Sequence, residues 1–337
     1  MTFDAIRPIT NPELENRIRA RLDSLTKPPG SLGRLEDLVL QLGLIQETDS
    51  PQIVSKSMIV FCADHGIVEE GVSPYPSEVT RQMVANFRAG AAAINVLCRH
   101  ADIEPVIVDM GVGRPTRNFA RESAMTRAEA EQAIDTGFSY AAEAGILGAG
   151  EMGIGNTTSA AALFSAFSGL DPLDTTGRGT GLDDAGVSKK VEVIRRALAL
   201  HQPFTDPIKI LADLGGFEIA ALAGLILGAA SRRRLVMLDG FITGAAAIVA
   251  RAIAPASLDY VVFSHCSAEK GHQTMLDYLN ARPLLNLEMR LGEGTGAALG
   301  IGLLEASVTL YREMATFQSA GVSTSTPPPD SPSAEER

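Results

Sequence analysis

Two carboxylates set on glycine turns carry the clearest chemical signal in this chain. Glu151 lies in GAGEMGIGNTT (148–158) and Glu293 in RLGEGTG (290–296). The first stretch follows an apolar pair, Ile146 and Leu147, and runs into an Ala-rich segment with good helix propensity. This is the layout of a strand, a glycine-rich turn and a helix start. Glycines let backbone N–H groups come close to an anion, and a helix N-terminus adds a favourable dipole. Asn156, Thr157 or Thr158 would cap the helix and also donate to a phosphate. The same glycines would serve a plain tight turn. A carboxylate beside a phosphate cradle repels the anion, so Glu151 is expected to serve a neutral or cationic part of a ligand. Glu293, between Gly292 and Gly294 at a helix start, is placed as a preorganised base or else on a surface turn.

A third glycine-rich loop, with Gly177, Gly179 and Gly181, leads into a segment carrying Lys189 and Lys190. A lysine there would neutralise a phosphate as a point charge, or sit solvated on a helix. Together these features suggest transfer chemistry on a phosphorylated sugar, with a carboxylate as base. Other chemistries find less support. His265, Cys266, Glu269 and His272 lie close together, as do Asp64 and His65, but neither group has a familiar zinc-ligand spacing. No GxSxG elbow occurs. The glycines near Gly148 lack the acidic strand end of a dinucleotide fingerprint.

Six short apolar runs supply the elements that would hold these residues: MIVF (58–61), VIV (106–108), IL (146–147), IKIL (208–211), LVML (235–238) and YVVF (260–263). Most are continuous rather than alternating, as in strands buried on both faces. Helical stretches lie between them, at 77–98, 157–167, 188–200, 217–230 and 244–252. Strands alternating with helices predict a Rossmann-like α/β fold with a parallel sheet of about six strands flanked by helices. The runs end at Asp64-His65-Gly66, Asp109-Met110-Gly111, Gly148 to Glu151, Asp213-Leu214-Gly215-Gly216, Asp239-Gly240 and Ser264-His265. Ligands of open α/β sheets bind beyond the carboxyl ends of the strands, so six polar or glycine-rich ends predict one shared cleft. The irregular stretch after the first run, with Pro74, Tyr75 and Pro76, reads as a functional loop able to wall a flat apolar ligand. Ahead of the first run, residues 11–25 read as an amphipathic helix, and Ser31 is the expected N-cap of a second helix reaching residue 44.

At 337 residues and 45% hydrophobic, the chain can build a large core. A net charge of −11 argues against nonspecific nucleic-acid binding, and the absence of Trp leaves few stacking platforms. Three cysteines without a CxxC pair do not make a disulfide framework or a structural zinc site. The start has no signal-peptide pattern, and the most apolar stretch, at 219–230, is too short to span a bilayer. A cytoplasmic protein is expected, with a Ser/Thr/Pro-rich disordered tail from 319 to 337.

KPPGSLGRLE, ADHG with EEGVSPYPSEVT, GEMGIGNTT, LGGFEIAALAG, LDGFITGAAA, SHCSAEKGH and LEMRLGEGTGAAL occur in that order. Over about residues 11–317 the chain resembles the nicotinate-nucleotide:dimethylbenzimidazole phosphoribosyltransferases of cobalamin lower-ligand activation. The resemblance implies that nicotinate mononucleotide and a benzimidazole-type base give an α-linked ribotide and nicotinate, with inversion at C1′ and without cofactor or metal. It implies Glu293 as the catalytic base and Glu151 as a second active-site glutamate. It further implies Gly153, Gly155, Asn156, Thr157 and Lys190 at the phosphate, Asp239 at the ribose hydroxyls, and Ser267 and Leu291 at the base. Tyr75 and Met83 stand where better-known members have a small polar residue and a glutamine, which makes that wall larger and less polar. The implied organisation has N-terminal helices (1–45), a large α/β domain (46–300) and a C-terminal helix (301–318) that completes a small helical domain. The implied assembly is a homodimer.

Overall fold

The computed structural model describes residues 6–323. Two helices, α1 (Pro12–Ser24) and α2 (Arg34–Gln46), precede β1 (Lys56–Cys62). A 3-10 turn at Gly66–Glu70, α3 (Glu78–Arg88) and α4 (Ala93–His100) lead to β2 (Glu104–Asp109). Next come α5 (Arg127–Tyr140) and β3 (Ile146–Met152), then α6 (Asn156–Ser168), α7 (Pro172–Thr175), α8 (Asp184–His201), α9 (Pro207–Leu214) and α10 (Phe217–Ser231). The chain continues through β4 (Leu235–Leu238), α11 (Phe241–Ile253), β5 (Val261–Phe263), α12 (His272–Leu279), α13 (Thr295–Glu313) and α14 (Phe317–Ala320).

The strands form one sheet in the order β2-β1-β3-β4-β5, with every pairing parallel. All of β4 and β5 and nearly all of β1 are buried, which explains their unbroken apolar runs. The order reverses direction between β1 and β3, where doubly wound sheets open a crevice. The described sheet has five strands where about six were expected, and its order is the flavodoxin-like one, not that of a dinucleotide-binding Rossmann sheet.

The missing strand is IKIL at 208–211, which is the body of α9. Asp206 is its N-cap: one carboxylate oxygen accepts from the N–H groups of Ile208 at 2.9 Å and Lys209 at 3.4 Å, and Pro207 opens the first turn. These start signals outweigh the β-branched composition. Likewise the single helix expected at 77–98 is two, broken at Gly90 with φ +74°. Ser31 does not cap α2; the cap residue is Gly33, and Glu36 reaches back to accept from the Leu32 N–H at 3.0 Å. Helix α5 was not expected at all. It buries only Ala130, Ala133, Ile134 and Gly137, too little bulk to show a clear apolar stripe.

The two ends of the described chain meet in a separate apolar cluster, where Leu14, Ile18, Leu22 and Leu25 pack with Val39, Leu44 and Tyr311. Leu25 bridges Thr316, and the Thr26 N–H donates to the Ala315 carbonyl at 3.0 Å. Beyond α14, most of the expected tail lies outside the described residues. No helix among the described residues is long and apolar enough to cross a membrane. Replacing the α9 cap, Asp206→Ala, should cost about 1 kcal/mol of unfolding free energy. Urea denaturation at neutral pH measures this, and no change would mean that Pro207 alone starts the helix.

Candidate active site

The turn between β3 and α6 is braced from two sides. The Ile154 N–H donates to Thr80 Oγ1 on α3 at 3.1 Å. Beneath it lies His65, whose Nε2 is 2.7 Å from Glu218 Oε1, both side chains fully buried. Glu218 belongs to the first turn of α10, so this pair ties the end of β1 to the start of α10 under the turn. The cap of α6 is Gly155, at φ +98°, and it offers no side-chain acceptor. The hydroxyl and amide groups expected to cap the helix point elsewhere. Asn156 Nδ2 donates to Glu151 Oε2, and Thr157 Oγ1 accepts from Lys190 Nζ at 2.9 Å. The α6 N-terminus is thus left without a side-chain cap and faces the cleft with a buried lysine beside it.

Lys190, not Lys189, reaches this point. Lys190 is fully buried on α8, whereas Lys189 is exposed and its amine lies near Gly71. Burial pushes the Lys190 ammonium down to about 8, while Glu269 pulls it up. Glu269, itself buried, anchors the glycine loop above: both carboxylate oxygens accept from the Gly179 N–H at 3.1 Å.

The turn carrying Glu293 is wound in the left-handed region through three residues, Gly292 (φ +84°), Glu293 (φ +63°) and Gly294 (φ +94°). Its backbone lies directly on β3. A Cβ at Gly150 would come within 2.4 Å of the Glu293 carbonyl oxygen, so only glycine admits it there. Glu293 is 5% exposed, and its Oε2 accepts from the Ile94 N–H at 3.4 Å, in the first turn of α4. Asp239, at the end of β4, accepts from the N–H groups of Gly294 at 3.0 Å and Gly296 at 2.7 Å.

These parts enclose a cleft of about 700 Å³, counting the solvent at its mouth. It lies over the carboxyl ends of β3, β4 and β5. The structure brings Glu151, Gly153, Asn156, Thr157, Asp239, Ser267 and Leu291 to its lining. Gly155 and Lys190 stand just behind. Glu293 sits beyond Gly292 with its carboxyl turned toward α4, and Met83, half-buried on α3, and Tyr75, 49% exposed, are not among the lining residues. The sequence reading missed Arg290, the one Lys or Arg among the described residues that lines the cleft, although it stands three residues before Glu293. The histidines considered as metal ligands are otherwise engaged. His265 Nε2 is 3.5 Å from Asp239 Oδ1, and His272 Nδ1 accepts from the Ser267 N–H at 2.7 Å. Burial pushes His272 down to about 3, which keeps it the neutral acceptor that this bond needs. Burial also raises Glu151 to about 8, with Asp239, Glu218 and Glu293 adding repulsion against the Asn156 hydrogen bond. Glu293 is raised mainly by burial, and further by Asp239, against the stabilising Ile94 N–H.

A parallel doubly wound sheet with an uncapped helix start, a buried lysine and carboxyls of raised proton affinity defines an α/β protein built to hold an anionic ligand beside proton-transfer groups. The family whose model matches residues 8–322 is described as phosphoribosyltransferase. The nicotinate-nucleotide–dimethylbenzimidazole phosphoribosyltransferase of Cupriavidus necator is 49% identical, covering 97% of this chain and all of the relative. Two solved structures from Thermus thermophilus superpose closely. One, described as CobT, has a TM-score of 0.90 at 43% identity over 93% of this chain and all of its own. The other, described as the same phosphoribosyltransferase, has a TM-score of 0.89 at 41% identity over 94% of this chain and all of its own. The chain belongs to the nicotinate-nucleotide–dimethylbenzimidazole phosphoribosyltransferase family.

The Glu151 shift has a consequence for stability. Its folded value, about 8, lies above the unfolded value near 4.5. Between these, the unfolded chain releases a proton that the native state keeps, so stability falls as pH rises through that window and the loss is complete above about pH 8. Glu151→Gln removes this dependence. Relative to the parent, its melting temperature should rise between pH 5 and pH 8.5, by an amount corresponding to a few kcal/mol. An offset equal at both pH values would show that Glu151 does not hold its proton.

Proposed function

We propose that this chain transfers the 5-phosphoribosyl group of nicotinate mononucleotide to 5,6-dimethylbenzimidazole or a related base, giving α-ribazole 5′-phosphate and nicotinate. The observation that carries this reading is the placement of two buried carboxyls of raised proton affinity, Glu151 and Glu293, on either side of Gly292 and next to the anion cradle. In the proposed complex the donor phosphate sits on the α6 N-terminus, among Gly153, Gly155, Asn156 and Thr157, with Lys190 behind it. The acceptor lies along Ser267 and Leu291 and toward Met83 and Tyr75, next to the Glu293 turn.

In the transfer, the imine nitrogen of the benzimidazole forms a bond to C1′ from the face opposite the pyridinium. As it forms, the C1′–N bond of the donor breaks, and its electron pair returns to the pyridine nitrogen. The proton on the other benzimidazole nitrogen passes to Glu293. A carboxyl raised by burial is better matched to this transfer near neutral pH than an exposed one. Glu151, holding its own proton at neutral pH, donates a hydrogen bond without repelling the phosphate. The resemblance further supports a homodimer, which sedimentation equilibrium of the intact chain tests; a monomer would remove that part of the reading.

Incubation with nicotinate mononucleotide, with and without dimethylbenzimidazole, should release nicotinate and an α-linked ribotide only when the base is present, as read by mass and anomeric coupling. Release without base would mean hydrolysis. Glu293→Gln should lower kcat by about 10²- to 10⁴-fold while nicotinate mononucleotide still binds. Near-normal turnover would reject Glu293 as the base.

A further inference from the structure

The resemblance places Asp239 at the ribose hydroxyls, but its surroundings suit another task. Its carboxylate is 3% exposed. One oxygen accepts from the Gly294 N–H at 3.0 Å and the other from the Gly296 N–H at 2.7 Å. These two groups lie immediately after Glu293. Gly294 is the cap residue of α13, so Asp239, 55 residues earlier in the chain, supplies the acceptor that this helix start lacks on its own cap. His265 Nε2, 3.5 Å from the same carboxylate, flanks it on the side of β5.

The turn needs such a tie. Three successive left-handed residues, one of them a glutamate, form a conformation that L side chains disfavour and that persists only where the surroundings over-determine it. Gly150 leaves room for the turn against β3 but does not bind it there. The two hydrogen bonds to Asp239 do. We propose that Asp239 is a positioning residue, whose carboxylate clamps the 292–296 turn and so sets where the Glu293 carboxyl points. This rests on the reading of Glu293 as the acceptor's base.

The test is Asp239→Asn, which keeps the shape but replaces one acceptor with an NH2 group that faces an N–H. Amide hydrogen exchange at residues 292–297, measured on the unliganded protein, should be faster in the variant by at least about tenfold. In the phosphoribosyl transfer assay kcat should fall about 10- to 100-fold with the KM for nicotinate mononucleotide changed less than about threefold. A ribose ligand would instead raise that KM. The ionisable groups facing Glu293 are Asp239 from β4 and Glu151 from β3, while α4 presents a backbone N–H. Removing the Asp239 charge should therefore move the acid limb of the kcat profile to lower pH, which loss of mere stability would not do. In a Glu293→Gln background, Asp239→Asn should cost little more of the residual turnover, since the first residue acts through the second. Unchanged exchange, a raised KM at normal kcat, or a full additional loss in the double variant would overturn the proposal. If the parent protein shows no base-dependent release of nicotinate, the transferase reading fails instead, and the exchange measurement still decides whether the clamp exists.

Discussion

Burying a carboxylate is costly unless it is hydrogen-bonded, paired or neutral, and this sheet buries several around one end, among them Glu151, Glu218, Asp239 and Glu293. Each meets the constraint differently. Glu218 is paired with His65. Asp239 takes two N–H groups from the start of α13. Glu293 takes one from the start of α4. Glu151 has an amide donor from Asn156 and, with three acidic neighbours, holds its proton to about pH 8. The two carboxyls with raised proton affinity are the ones proposed to meet the substrates, while Asp239 and Glu218 hold backbone turns in place. Function and scaffold thus divide one electrostatic problem.

The parallel topology makes that division possible. Each βα unit sets a helix start just beyond a strand end, so N–H groups converge where the side chains of the strand ends also converge. Helix α6 follows β3, and α11 follows β4. Helix α13, later in the chain than β5, reaches the same place by way of the Glu293 turn, which lies against β3. On the proposed reading, a protein of net charge −11 binds an anionic nucleotide here through local backbone dipoles, Lys190 and Arg290, which act at shorter range than the surface charge.

The sequence showed five of the six expected strand ends and the two glutamates beside glycines because both are local signals: apolar runs stop, and glycines cluster. It did not show features that depend on distant partners. The IKIL segment looks like a strand until Asp206 is seen to cap it. Helix α5 hides because small residues let it pack closely, and small residues give little periodicity. His65 was weighed only beside Asp64 as a metal ligand, and Glu218 stands 153 positions away; only the fold makes the two a buried pair. Arg290 was passed over because an arginine beside a glycine turn resembles any solvated charge, whereas in the structure it lines the cleft.

The position of Glu293 relative to the cleft bears on the order of events. Its carboxyl accepts from the first turn of α4, whereas the anion cradle is the β3–α6 turn, which lines one cleft together with Ser267 and Leu291. On the proposed reaction, donor and acceptor share that cleft, with the Glu151 carboxyl against Gly292. Such a geometry keeps the proposed base next to the cleft without making it part of the lining. It also explains why a strained turn is worth keeping. A relaxed loop could place a glutamate at many points, but a turn seated on Gly150 and tied to Asp239 holds it at the edge of the cleft, where on the proposed reaction it meets the proton leaving the acceptor.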